Sequence, residues 1–363
     1  MPTWIAGIGT ALPQHRIAQA DAAEIAQQFS CETPAQERLF QAMYRKAGVE
    51  GRHCVVLDAS EGDLAGRQSF FNQGQDPTTF DRMRKYEAEA GHLAVSAAKV
   101  ALDDAGIDPG RVTHLITVTC TGFYSPGFDI SLIKQLPLSP EVARTQVGFM
   151  GCHGLLNALR VAKSFLDADP SACVLVSAVE LCSLHHQYGW NPDKIVANSL
   201  FADGSAALVA VASPSGLNER SPAPYRVVGT GSTLIEDSED AMSWRIGNHG
   251  FEMTLSPRVP ELIGRHLLPW LEPWLAKYGQ SLATIGSWAI HPGGPRILSA
   301  VHEATGLDRS ALEVSQRVLA ECGNMSSPTI LFILDRLYRA RAPRPCVALA
   351  FGPGLMVEAA FLE

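Results

Sequence analysis

Short apolar runs with strand character alternate with amphipathic helical stretches along almost the whole chain, and this alternation confines it to the α/β class. MPTWIAGIGTALPQHR opens the chain as a strand. Residues 94–105, AVSAAKVALDDA, form an alanine-rich helix stopped by Gly106 and Pro109, and HLITVTC at 114–120 is the strand that follows, running into the glycine-rich turn TGFYSPG. At 145–150 TQVGFM reads as a buried strand, after which Gly151 turns the chain. LLNALRVAKSFL (155–166) is a helix whose Leu155, Leu156, Leu159, Ala162, Phe165 and Leu166 cover a wide face, the mark of a central, buried helix. CVLVSAV (173–179) has almost no polar interruption, as a strand covered on both faces requires.

At 213–226, SPSGLNERSPAPYR, serine, proline and glycine concentrate, and the alternation then resumes. IGSWAI (285–290) is a strand and RILSAVHEAT (296–305) a helix closed by Gly306. SSPTILFILDRLYRA (326–340) is a helix with Ser327 as N-cap and Pro328 at its first position. CVALAF and MVEAAFL are strands on either side of the turn GPG, 352–354. With 363 residues the chain exceeds the size at which one core stops growing, so it divides into two packed α/β halves, 1–215 and 225–363.

A hydrophobic share of 46% with 18% charged residues excludes a disordered, collagenous or coiled-coil protein. No apolar run approaches the ~18 residues of a membrane span, and the N-terminus lacks the basic region of a signal peptide. Eight cysteines without a CxxC pair suit neither a disulfide scaffold nor a zinc site, which makes a reducing cytoplasm the expected location. A net charge of −8 argues against broad binding of nucleic acid or anionic membrane.

Three residues can carry chemistry. Cys152, in FMGCHGLL, lies at a strand–turn–helix junction, where the helix dipole and free N–H groups favour thiolate over thiol. Gly151 and Gly154 leave room for an acyl group, although position alone leaves an inert core thiol open. His291 ends a strand and enters HPGGP, where two glycines and two prolines clear space around the imidazole; a turn-capping histidine is the alternative. Asn324, in GNMSSP, sits ahead of a helix, where its carboxamide can donate into a cavity or serve as an ordinary loop residue. Such a Cys/His/Asn set suits hydrolysis, with His291 as a base, or condensation, with His291 and Asn324 holding a thioester carbonyl and the enolate formed on decarboxylation. The signature of papain-like proteases is absent and their fold is not built by strand–helix alternation, so condensation fits better. Cys120, Cys173 and Cys346 lie in apolar strands, where a core role is expected. His185 and His186 are adjacent with no third ligand at usable spacing, and no metal is expected there.

HPGGPRIL (291–298), GNMSSPTILFILD (323–335), LFADGSAAL (200–208), AFGPGLMVE (350–358) and THLITVTCTGFYSPG (113–127) resemble, in order and over nearly the whole chain, the type III polyketide synthases, the chalcone synthase-like branch of the thiolase superfamily. Ketoacyl-ACP synthase III shares the Cys/His/Asn logic, but its HQAN and GNTSA surroundings are not found here. The resemblance implies a thiolase-like, five-layered αβαβα fold of two similar halves, a homodimer, and acyltransferase chemistry without metal or prosthetic group. It implies that Cys152 takes a starter acyl group from its CoA thioester. His291 would keep Cys152 ionised and, with Asn324, hold malonyl-CoA while loss of CO2 gives the enolate that attacks the bound acyl group. Several rounds and a cyclisation would follow.

By the same resemblance Phe201 is the aromatic gatekeeper and Ser326 a cavity-lining serine; a core phenylalanine and a helix cap are the alternatives. Met253 stands where a second gatekeeper phenylalanine is usual, Ser125 where plant members carry a methionine, and Cys120 where a threonine lines the cavity. ELCSLHHQ (180–187) is similar to bacterial members that make alkylpyrones or alkylresorcinols from fatty acyl starters, with Cys182 helping to open an alkyl channel. Of the cations for the CoA phosphates only Lys46 aligns plainly, with Arg38, Arg45 and Arg52 as substitutes or as a solvated basic face. The expectation is therefore an iterative type III polyketide synthase acting on malonyl-CoA and a fatty acyl-CoA. A single-round ketoacyl synthase, a cysteine thioester hydrolase and a non-catalytic acyl-binding protein are the alternatives.

Overall fold

In the computed structural model, residues 2–214 and 224–363 are described. The helices are α1 (Gln19–Ser30), α2 (Pro34–Lys46), α3 (Thr79–Ala105), α4 (Phe128–Gln135), α5 (Gly154–Ala168), α6 (Pro192–Leu200), α7 (Val259–Ala276), α8 (Pro295–Thr305), α9 (Glu313–Cys322) and α10 (Thr329–Arg339). Nine strands join in one sheet. One side of it holds β1 (Thr3–Ala11), β4 (His114–Thr119), β5 (Ala143–Gly148), β6 (Cys173–Leu181) and β7 (Asp203–Val211). The other holds β8 (Tyr225–Leu234), β11 (Ser287–Ile290), β12 (Cys346–Gly352) and β13 (Met356–Leu362). Two small ribbons complete the chain, β2 (Arg16–Ala18) with β3 (Gly51–His53), and β9 (Met242–Gly247) with β10 (Gly250–Leu255). The sheet order β11-β12-β13-β8-β1-β7-β6-β4-β5 has its seam at β1 and β8, which meet only through Thr3–Ile5 and Tyr225–Val227.

The period-2 alternation of the strands sorts their side chains into layers. On β6, Val174, Val176 and Ala178 face the central layer of α5 and α10, while Leu175, Val179 and Leu181 face α3 and α4. On β12, Ala348 and Ala350 point inward to that central layer, and Val347, Leu349 and Phe351 face α7 and α8. Helices, strands, helices, strands and helices thus stack as five layers, and α5 with α10 is the buried middle. The alanines of α3 have a reason: Ala97 and Ala101 lie against Gly7 and Gly9 of β1, where an added Cβ would strike their carbonyls, so small residues on both partners allow close helix–strand approach.

Three expectations need correction. The helix ended by Gly106 begins at Thr79, behind a capping box of Thr78 and Asp81, well upstream of residue 94. β5 is an edge strand with Ala143 and Arg144 exposed, because only β4 pairs with it. Ser327 is not an N-cap: α10 starts at Thr329 and the Ser327 hydroxyl donates to Glu180 at 2.6 Å. The serine- and proline-rich stretch 213–226 lies largely outside the described residues; β7 ends before it at Val211, and β8 begins within it at Tyr225.

Candidate active site

Cys152 is held at a sharp junction. After β5, Phe149 (φ 59°) and Gly151 (φ 74°) turn the chain into a one-turn 3₁₀ helix, Gly151–His153, that feeds α5. Only glycine serves at 151, where a Cβ would stand 2.5 Å from Pro353 Cδ on a left-handed backbone. The next residue anchors the turn: His153 Nδ1 bonds Asn157 Oδ1 at 2.7 Å, and Asn157 Nδ2 donates to buried Glu358 at 3.0 Å.

His291 and Asn324 both lean on the main chain of Ser326, whose φ of 55° is unusual for a non-glycine residue and places its N–H and C=O on this side. The Ser326 N–H donates to Asn324 Oδ1 at 2.8 Å, and His291 Nε2 donates to the Ser326 carbonyl at 3.1 Å. Asn324 Nδ2 is thereby turned toward the His291 loop, with the Gly293 carbonyl at 3.4 Å. The Asn324 carboxamide acts on both groups, pulling the Cys152 thiol down and the His291 imidazole up, and Ser326 also pulls that thiol down. So sulfur, imidazole and carboxamide, distant in the chain, all lie around Ser326.

The backbone of Asn324 is clipped to the end of α6. Its N–H donates to Leu200 O at 2.8 Å and its C=O accepts from Ala202 N at 2.9 Å, which sets Phe201 opposite it. Arg52 holds the other side of this segment, donating to the carbonyls of Asn198 (2.9 Å), Ser199 (2.5 Å) and Phe201 (2.7 Å), and to Gln19 Oε1. Arg52 is therefore a buried cap on the helix C-terminus and not a phosphate ligand.

Cys152 opens on a cavity of about 20 Å³ lined by Cys120, Cys182, Phe201, Trp244, Met253 and Ser326 among others. That space holds little more than a water. Cys182, Phe201, Trp244 and Met253 also line a second, largely apolar cavity of about 100 Å³ that reaches α1. A third, of about 270 Å³, adjoins the His291 loop through Gly293 and Gly294 and carries Lys46 and Arg296 on its wall. Arg38 and Arg45 are exposed on α2 and line none of these three.

Burial dominates the electrostatics. It pushes the Cys152 thiol up to about 11, the Ser326 and Asn324 hydrogen bonds pulling the other way, and it holds His291 down at about 4. At rest the pair is thiol and neutral imidazole, contrary to the expected thiolate. The helix-terminus effect of ~0.3–1 kcal/mol is too small to offset desolvation of a charge.

Cys120 and Ser326 face the cavity, their Sγ and Oγ 3.4 Å apart, so neither is a mere core or cap residue. His185 is structural: Nε2 donates to Thr121 O at 2.7 Å, Nδ1 accepts from Phe251 N at 2.9 Å, and the ring stacks on Phe251. Among the described residues no group of three or more His, Cys, Asp or Glu is placed to hold a metal ion. Sequence reasoning missed Trp244, whose ring packs on Phe201 and whose Nε1 donates to Cys120 O at 2.8 Å. It also missed buried Glu180, which accepts from Cys120 N, Thr121 Oγ1 and Ser327 Oγ and ties β4 and the start of α10 to β6. A glutamate closing an apolar strand, in SAVEL, was the available signal.

Two family models match the chain, chalcone and stilbene synthases, N-terminal domain, over residues 2–214, and C-terminal domain, over 226–363. The chain belongs to the chalcone and stilbene synthase family. It is 34% identical over 369 residues to the alpha-pyrone synthesis polyketide synthase-like Pks18 of Mycobacterium tuberculosis, covering 98% of this chain and 91% of that protein. To the 1,3,6,8-tetrahydroxynaphthalene synthase of Streptomyces peucetius subsp. caesius it is 33% identical over 364 residues, covering 99% and 93%. The crystal structure of PKS-I from the brown alga Ectocarpus siliculosus superposes with a TM-score of 0.92 at 28% identity, over 100% of this chain and 98% of that one. The five-layered arrangement is thus the thiolase-like fold of the type III polyketide synthases, and the chain is an acyl-transferring enzyme of that group. Within it, this type III polyketide synthase shows its individual residues at the neck between the two inner cavities, where Met253 and Cys182 line both. Ser125 is exposed and lines neither. No described helix is long and apolar enough to cross a membrane.

Proposed function

We propose that this synthase loads a medium or long fatty acyl group from CoA onto Cys152, extends it iteratively with malonyl-CoA, and releases an alkylpyrone or alkylresorcinol-type product. The neutral His291 imidazole takes the Cys152 proton as sulfur attacks the starter thioester, and returns it to the departing CoA thiolate. Malonyl-CoA then enters past Lys46 and Arg296, which suit its phosphates. Donors on His291 and Asn324 hold its thioester carbonyl, C–C cleavage releases CO2, and the enolate they stabilise attacks the acyl carbon on Cys152. The thiolate leaves, is reprotonated, and the chain is reloaded for another round. The nucleophile comes from the half spanning 1–215 and both donors from 225–363, with Phe201 and Ser326 shaping the space between.

One observation carries the fatty starter: the cavity at Cys152 is too small for a chain, while a largely apolar space lies just beyond Cys182, Phe201, Trp244 and Met253. The name of the relative Pks18, an alpha-pyrone synthesis polyketide synthase-like protein, supports the product class. A homodimer is favoured by an apolar patch beside the edge strand β5, where Phe123, Phe149 and Met150 are 38%, 36% and 40% exposed and the two phenylalanine rings lie 5.6 Å apart. Eight free thiols agree with a reducing cytoplasm. Incubation with malonyl-CoA and graded acyl-CoAs tests the reading. Pyrones or resorcinols support it; a lone β-ketoacyl thioester means a single round, and free acid released at a rate indifferent to malonyl-CoA means a hydrolase.

A further inference from the structure

Helix α1, QADAAEIAQQFS, carries two apolar stripes. One, with Ala23 and Ala26, packs on Phe40 and Tyr44 of α2. The other, Ala22, Ile25 and Phe29 at i, i+3 and i+7, is only half-buried and lines the second cavity. A helix needing only to dock on α2 would require one stripe. The far end of this second stripe is closed by aromatic rings: Phe29 and Phe71 lie 6.4 Å apart, both contact His186, and Tyr188 stacks behind Phe29 at 4.9 Å. Phe71 is pinned by Gln68, which donates to its carbonyl at 2.9 Å and accepts from its N–H at 2.8 Å.

We propose that α1 is the ruler for the starter, an unbranched alkyl tail lying along Ala22 and Ile25 and ending against Phe29 and Phe71. The inference rests on the fatty acyl reading above and adds the residues that measure it. Ala22 and Ala26 are the small members that leave the space open, and from Ala22 to Phe29 the helix rises about 10 Å, several methylenes' length. The tail ends without a charge. Both cations on this wall are occupied, Arg52 by backbone carbonyls and Lys194 by Glu252 at 2.9 Å, so neither is free to pair with a terminal carboxylate. Burial, with Arg82 and Arg52 nearby, keeps His186 uncharged as well.

The test uses the full-length enzyme, malonyl-CoA and saturated acyl-CoAs from hexanoyl to hexadecanoyl, reading kcat/KM at each length for wild type, Ala22→Phe and Phe29→Ala. Ala22→Phe is expected to lower kcat/KM for the longest accepted starters about tenfold or more relative to its effect on hexanoyl-CoA. Phe29→Ala is expected to move the optimum to longer chains, which a misfolded protein does not do. Unchanged length profiles in both variants, or equal losses at every length, overturn the ruler while the fatty acyl reading stands. A wild type that turns over no alkyl starter overturns both.

Discussion

The Arg52 guanidinium donates to the main-chain carbonyl of Phe201 at 2.7 Å, and Phe201 faces Asn324 across a parallel backbone bridge. One buried cation thus fixes the strip of chain against which the Asn324 carboxamide is registered. No carboxylate is among its hydrogen-bond partners; its charge sits on the C-terminal carbonyls of α6, where the helix dipole is negative.

Arg52→Met should therefore loosen Asn324 from a distance. Leaving several buried acceptors unpaired costs about 3 kcal/mol or more. Release of CO2 from malonyl-CoA should fall about tenfold or more, with Arg52→Lys between the two because an ammonium reaches fewer of the carbonyls. Urea midpoints and 14CO2 release measure the two effects, and full decarboxylation by Arg52→Met would refute the link.

His291→Gln and His185→Gln separate chemistry from packing. Both imidazoles are buried and neutral, but only His291 meets Asn324. Loss of a donor on a developing oxyanion costs ~100-fold or more, so His291→Gln should lose that much condensation while His185→Gln loses mainly thermal stability. Equal losses in kcat/KM would mean that the roles are misassigned.

Those histidines also set a pH dependence. Burial holds His185 at about 3 and His291 at about 4 in the folded chain, whereas the unfolded chain protonates them near ~6.5. Between those values the unfolded state binds more protons, so this stability is complete above about pH 6.5 and is lost as pH falls. Asp203, raised by burial to about 6, acts in the opposite sense at acid pH, so the variant comparison isolates the imidazole. The Tm gap between wild type and His185→Gln should narrow from pH 8 to pH 5; a gap that widens contradicts the assignment.

Much of the layered fold was legible because β4, β6 and β12 are apolar runs and α5 carries a wide apolar face, patterns that burial imposes directly. Cys152, His291 and Asn324 were legible because glycines and prolines mark the turns that hold them. What stayed hidden depends on distant packing. β5 looks apolar enough to be buried and lies at an edge, which only the strand order decides. The neutral state of Cys152 follows from a desolvation that local context does not report. Arg52 reads as a surface cation until α6 is seen to end upon it, and the second stripe of α1 looks like ordinary packing until it is seen to line a cavity.

Gly151→Ala should cripple acylation without touching a reacting group. Its Cβ would meet Pro353 on a backbone at φ 74°, so either the nucleophile turn or the 352–354 turn must move. The burst of CoA release on mixing with an acyl-CoA should fall by ~10-fold or more, since small displacements of a nucleophile cost that much. An unchanged burst would show that the turn adapts.

Three thiols, Cys120, Cys152 and Cys182, line the same small cavity, and Cys152 alone should take the acyl group. Mass mapping of peptides after brief exposure to a fatty acyl-CoA without malonyl-CoA reads this directly. The acyl mass should sit on the peptide containing Cys152 and vanish in Cys152→Ala; an acyl group on Cys120 or Cys182, or one that survives the substitution, would contradict it.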